Sequence, residues 1–170
     1  MILYLFLIAF GIRLISLFIS IRNEKRLKMD GATEYGKTNS LLLTLSHIAF
    51  YSLCLYEGLH NDARIINLTY FGIVLFAFSM IMLFLVIKQL GAIWTVKLII
   101  AKGHKVNKSM IFKYIRHPNY FLNVIPELVA IAMICQAWTV LMFGLPIYLI
   151  PLTIRIVQEE KIMKAMVKDY

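Results

Sequence analysis

Met1 to Ile21 is apolar almost without a break, and as a helix it is long enough to cross a hydrocarbon core of about 30 Å. Comparable runs recur at 41–59, 68–87, 121–135 and 138–155. Such runs leave few options, because backbone exposed to lipid must satisfy its own N–H and C=O groups, as helices do. The expectation is therefore an all-α polytopic membrane helical bundle of about five transmembrane helices, forming one integral membrane domain over 1–170. The chain is 61% hydrophobic, far above the roughly 45–50% of an ordinary globular domain. The first run lacks the basic start and small-residue cleavage site of a signal peptide, so it counts as a span. Only Gln136 and Ala137 separate the last two runs, which predicts a tight C-terminal helical hairpin, kinked at Pro126, Pro146 and Pro151.

The charges give this bundle two unlike ends. Residues 22–40 hold five Lys/Arg, 88–120 hold seven and 155–170 hold four, whereas the loop His60–Asn67 holds only Arg64. With five spans the three basic segments share one side. The positive-inside rule then places the N-terminus outside and the C-terminus in the cytoplasm. The net charge of +9 thus reads as loops facing anionic membrane lipids rather than as a nucleic-acid surface. Residues 22–39 read as a solvated helix extension followed by a turn.

Polar residues inside the spans are few. Arg13 is expected to face the bundle interior, with Glu127 or Glu57 as its partner. His47 reads as a packing residue rather than a ligand. Cys54 and Cys135 both lie in apolar runs and read as small packing residues, and no disulfide framework or metal-ligand spacing is present.

Two polar clusters stand out against this background. The first is Tyr114-Ile115-Arg116-His117-Pro118-Asn119-Tyr120, in which Pro118 biases His117 away from the helical region and predicts a bend just before the fourth span. The second is Arg155-Ile156-Val157-Gln158-Glu159-Glu160 at the end of the fifth. Arg155 and Glu159 share a helical face, and Glu160 points about 100° away. Both clusters fall on the cytoplasmic side, as walls of one site. Between the third and fourth spans, Trp94 to Ile100 alternates in a way that suits an interfacial ribbon, which a purely electrostatic loop would not need. Arg155 could orient an anionic or enol-like oxygen by paired donation, and Glu159 could hold an ammonium or hydroxyl groups.

The Arg-His-Pro-x-Tyr bend, the hairpin and Arg-x-x-x-Glu-Glu, in this order from Trp94 onward, resemble the isoprenylcysteine carboxyl methyltransferase family. That resemblance implies a membrane enzyme using S-adenosyl-L-methionine, held by His104, Lys105, Val106 and Asn107, by His117, Pro118, Asn119 and Tyr120, and by Glu159. It assigns Arg155 to the methyl acceptor, and with Glu159 to the catalytic pair. Phe112 stands where the family has a tyrosine and offers a ring contact only. Arg22-Asn23-Glu24 and Gly31-Ala32-x-Glu34-Tyr35-Gly36 resemble the short bacterial members, which implies a cell-membrane enzyme and a lipophilic small-molecule acceptor reaching the site from the bilayer. A lipid carboxylate and the acidic hydroxyl of an alkylpyrone-type polyketide both fit, and no metal is called for. Other readings are phospholipid N-methylation, an NADPH-dependent reductase of sterol or fatty-acyl type, and a non-enzymatic membrane scaffold.

Overall fold

Six α-helices account for most of the chain in the computed structural model, which describes residues 2–100 and 110–166. They are α1 (Ile2–Met29), α2 (Lys37–His60), α3 (Asn67–Leu90), the short α4 (Met110–Tyr114), α5 (Ile125–Cys135) and α6 (Leu145–Met166). Four helical stretches, Ile2–Met29, Lys37–His60, Asn67–Ile93 and Val140–Ala165, are long and apolar enough to cross a membrane. The shorter apolar helix Asn119–Cys135 joins them. The outward faces carry large apolar side chains in the open, among them Tyr4, Phe18, Phe71, Val74, Met142 and Ile147. A water-facing protein does not tolerate such a belt, and a lipid-facing one requires it. The protein is an integral membrane helical bundle.

The shorter helix is the most enclosed. Glu127, Leu128 and Ala130–Cys135 of α5 are all buried, with α1, α2 and α3 packed around them. Small residues permit this approach. A Cβ placed on Gly72 of α3 would lie 3.1 Å from the Ala130 carbonyl oxygen, and one on Gly58 of α2 would lie 2.7 Å from that of Cys135.

The hairpin turn is built by three devices. Gln136 takes the left-handed conformation at φ 55° and ends α5. The Ala137 N–H donates to the Ala132 carbonyl at 2.8 Å, completing the usual left-handed helix stop. The Glu57 carboxylate then accepts from the Thr139 and Val140 N–H groups, each at 3.0 Å, and so caps the returning limb. Glu57 is thus a helix cap, and Arg13 takes the other expected partner, Glu127, at 3.2 Å. Two of the three prolines follow widened, π-helical stretches, Asn119–Val124 before Pro126 and Val140–Gly144 before Pro146. The wider turn accommodates the i−4 carbonyl that proline leaves without a donor. Pro151 lies inside α6 without ending it.

The basic loops are more ordered than the sequence suggests. Residues 22–39 are not simply helix and turn: α1 continues to Met29, and β1 (Thr33–Tyr35) follows. It pairs antiparallel with β2 (Leu98–Ile100), with Thr33 opposite Ile100 and Tyr35 opposite Leu98. The expected ribbon over 94–100 is therefore a strand only in its last three residues, all buried. Alternating charges pin it down: Lys28 meets Glu24 and Glu34 at 2.6 Å each, and Lys97 meets Glu24 at 2.7 Å.

Candidate active site

Where the ribbon, the prolyl bend and the end of α6 converge, they enclose a cavity of about 380 Å³. Its wall contains Phe112, His117, Pro118, Asn119, Tyr120, Arg155 and Glu159, together with Arg116. His104, Lys105, Val106 and Asn107 lie outside the described residues.

The bend does what its proline predicts. Pro118 starts the helical stretch, with φ −64°, and the N–H groups of Tyr120 and Phe121 both return to the His117 carbonyl, at 3.1 and 3.2 Å. This places the His117 ring over that of Tyr120, with centroids 5.8 Å apart and planes 25° from parallel. Both rings then meet α6. The Tyr120 hydroxyl donates to Glu159 Oε2 at 2.6 Å, and His117 Nδ1 lies 3.5 Å from Glu159 Oε1. The other face of the imidazole reaches Glu160: His117 Nε2 is 3.5 Å from Glu160 Oε1, which also lies 3.5 Å from Arg116 Nη1. Glu160 is therefore no mere solvated neighbour. Two consecutive carboxylates, splayed around a helix, grip the two nitrogens of one ring. Burial disfavours the imidazolium, but Glu159 and Glu160 outweigh it and raise the His117 pKa above its ordinary 6.5.

Arg155 is 2% exposed, one of the largest enclosed side chains in the protein. Its Nη1 donates to Ser40 Oγ at 2.8 Å and its Nη2 to the Val96 carbonyl at 2.6 Å. A guanidinium has five N–H donors, so groups remain to meet a ligand. Val96 is itself held, since its N–H donates to Ser20 Oγ of α1 at 2.9 Å. The Asn23 carboxamide donates to the Gly91 and Trp94 carbonyls at 3.1 and 2.8 Å, fixing the turn from which Val96 extends. Ser20, Ser40 and Asn23 were invisible as site residues in the sequence: two are serines inside or beside apolar runs, and Asn23 belongs to a charged stretch.

Trp94 is the other addition. It lines the cavity, is 3% exposed, and its indole N–H has no partner among the described residues. A buried donor without an acceptor calls for one from a ligand. The cavity thus offers an unsatisfied donor at Trp94, an anchored carboxylate at Glu159, an anchored guanidinium at Arg155 and aromatic walls at Phe112 and Tyr120. That set suits a polar molecule carrying both charge signs and a flat ring, and the volume falls in the range of small-molecule sites, about 300–1,000 Å³.

The chain is similar to other bacterial proteins over most of its length. The chain is 48% identical to an uncharacterized protein of Haemophilus influenzae over 153 residues, 90% of this chain and 89% of that one. It is 27% identical to the uncharacterized protein YpbQ of Bacillus subtilis over 147 residues, 86% of each. No solved structure matches. The sequence pattern of the isoprenylcysteine carboxyl methyltransferase (ICMT) family matches residues 72–165, a stretch that holds most of α3, the bend, the hairpin and Glu159. More than half of the chain is covered, and it belongs to the isoprenylcysteine carboxyl methyltransferase family.

Proposed function

We propose that the protein is an S-adenosyl-L-methionine-dependent O-methyltransferase acting on a lipophilic, already ionised acceptor. The observation that carries this reading is the shared cavity of Tyr120, His117, Glu159 and Arg155 in a chain of this family. Glu159, set by Tyr120 and His117, and the Trp94 indole N–H fit the polar groups of the cofactor. His117, Pro118, Asn119 and Phe112 would complete its walls. When bound, the cofactor supplies an electrophilic methyl group on a sulfonium.

The chain's own residues account for the rest. His117 and Glu159 hold one another, so neither is poised to take a proton from an acceptor. An acceptor that arrives as an anion, a carboxylate or an acidic enol, needs no base. Arg155 would receive its oxygen with the N–H groups left over from Ser40 and Val96, and being anchored it loses little freedom in doing so. Buried apolar neighbours, Leu98, Ile100 and Met163, exclude water from the reacting groups. The cavity faces the end of the bundle that carries the basic loops, which we assign to the cytoplasm, where the polar cofactor is available; the acceptor would enter from the bilayer between helices.

Incubation of the purified protein with methyl-labelled S-adenosylmethionine and a total lipid extract tests this. Label is expected in one lipid class, as the neutral methyl ester or methyl ether formed from an anionic acceptor. Calorimetric binding of NADPH with none of S-adenosylmethionine would transfer the protein to reductase chemistry.

A further inference from the structure

The basic end of α1 carries a groove of about 730 Å³ that shares no lining residue with the cofactor-site cavity. It lies between the outer face of α1 and Ala92, in the tight turn Gly91–Ile93 that follows α3. Arg22, Lys25 and Arg26 line it, and no carboxylate does. Residues 18, 22, 25 and 29 keep the four-and-three spacing of one helical stripe, with Arg26 beside it. The acids nearby in sequence do not neutralise these cations. Glu24 is taken by Lys28 and Lys97, at 2.6 and 2.7 Å, and Asp30 makes no ion pair among the described residues. The side chains of Arg22, Lys25 and Arg26 likewise have no partner among the described residues.

The fold holds this groove open. Asn23, which also lines it, donates to the Gly91 and Trp94 carbonyls at 3.1 and 2.8 Å and so fixes the turn against α1. An occupant therefore meets preformed walls. Position along the helix decides what that occupant is. Phe18 is 70% exposed, and in a membrane-spanning helix such a ring lies against acyl chains. Arg22 to Arg26 stand about 6–12 Å further along the axis, at the level of the headgroups of those same lipids. A phosphate there meets three cations and no acid, and each guanidinium can donate paired hydrogen bonds to its oxygens. A zwitterionic headgroup brings its own ammonium to the same cations and loses much of that gain.

We infer that this groove binds an anionic glycerophospholipid, its phosphate held by Arg22, Lys25 and Arg26 and an acyl chain lying against Phe18 and Ile21. The site is separate from the proposed methyl transfer and does not depend on it.

The probe is dioleoyl phosphatidylglycerol, titrated onto the full chain in dodecyl maltoside at about 0.15 M salt and counted by native mass spectrometry. One molecule is expected to bind ahead of all others, about tenfold tighter than dioleoyl phosphatidylcholine. Arg22→Gln combined with Arg26→Gln should weaken it about 10- to 30-fold. Ala92→Glu sets a carboxylate on the opposite wall with all three cations in place, and should weaken it about tenfold. Lys37→Gln combined with Lys161→Gln removes equal charge from the same end of the bundle but outside the groove. That control should stay within about twofold, because salt screens exposed charges beyond about 8 Å. Equal weakening by the two double variants means a diffuse field only and overturns the site. So does phosphatidylcholine bound as tightly, or an affinity unmoved by Ala92→Glu. Displacement by millimolar inorganic phosphate overturns the lipid as occupant in favour of a soluble anion. Should the double arginine variant fail to fold, Ala92→Glu set against the lysine control decides.

Discussion

His117 Nδ1 and Glu159 Oε1 lie 3.5 Å apart, one from the bend that opens the hairpin and the other from the helix that closes it. The hairpin thus returns the chain to its own starting point and leaves a gripped imidazole and an anchored carboxylate on a cavity wall. The ion-pair network of the site is consequently part of the fold, and disturbing it has separable effects on stability, cofactor affinity and turnover.

Glu159→Gln removes the charge but keeps the shape. S-adenosylmethionine affinity measured by calorimetry should fall by about 10- to 100-fold, the scale of charge-assisted hydrogen bonds. An unchanged affinity would remove Glu159 from the cofactor site.

Ser40→Ala releases one of the two anchors of Arg155 without altering the guanidinium. Turnover should drop several-fold while cofactor affinity stays within about twofold, because positioning acts on the reacting geometry. Equal losses of both would show that Arg155 serves the cofactor instead.

The pH dependence has a definite sign. His117 holds its proton more tightly in the fold than in the unfolded chain. Its contribution to stability is therefore fully present below about pH 6.5 and is lost as the pH rises through its raised folded value. Thermal unfolding across this window should show wild type losing stability with rising pH, and His117→Gln should flatten that slope. Identical slopes in the two proteins would mean that the clamp on the ring is electrostatically idle.

Arg13→Gln leaves the enclosed Glu127 carboxyl without the cation beside it, and breaking a buried pair costs about 3–5 kcal/mol. Adding Glu127→Gln should recover most of that loss, read as a restored melting temperature in detergent. A double variant no more stable than the single one would place the effect in packing rather than charge.

Met29, at the end of α1, is 81% exposed and belongs to the basic side of the bundle. A cysteine there should resist an impermeant thiol reagent in intact cells and react once the membrane is opened. Ready labelling from outside would invert the proposed orientation.

The spans, the asymmetric charge, the hairpin and the two polar clusters were all legible in the sequence because each is written locally. Span length is a run of apolar residues, and Arg155 and Glu159 share a face by helical spacing alone. Tertiary structure decided what the local record does not contain. Whether Arg13 meets Glu127 or Glu57 depends on how the helices are rotated about their axes, and helices apolar on nearly every side carry little signal for that. Glu160 joins His117 because the bend presents the ring between two neighbouring carboxylates, a relation fixed by the return of the hairpin. The brace on Arg155 uses the backbone of Val96, whose side chain gives no sign of it, and Ser40 and Ser20, which become site residues only when α2 and α1 stand beside the ribbon. Contacts between distant segments, made partly by main-chain groups common to every residue, have no sequence signature; the packed bundle creates them.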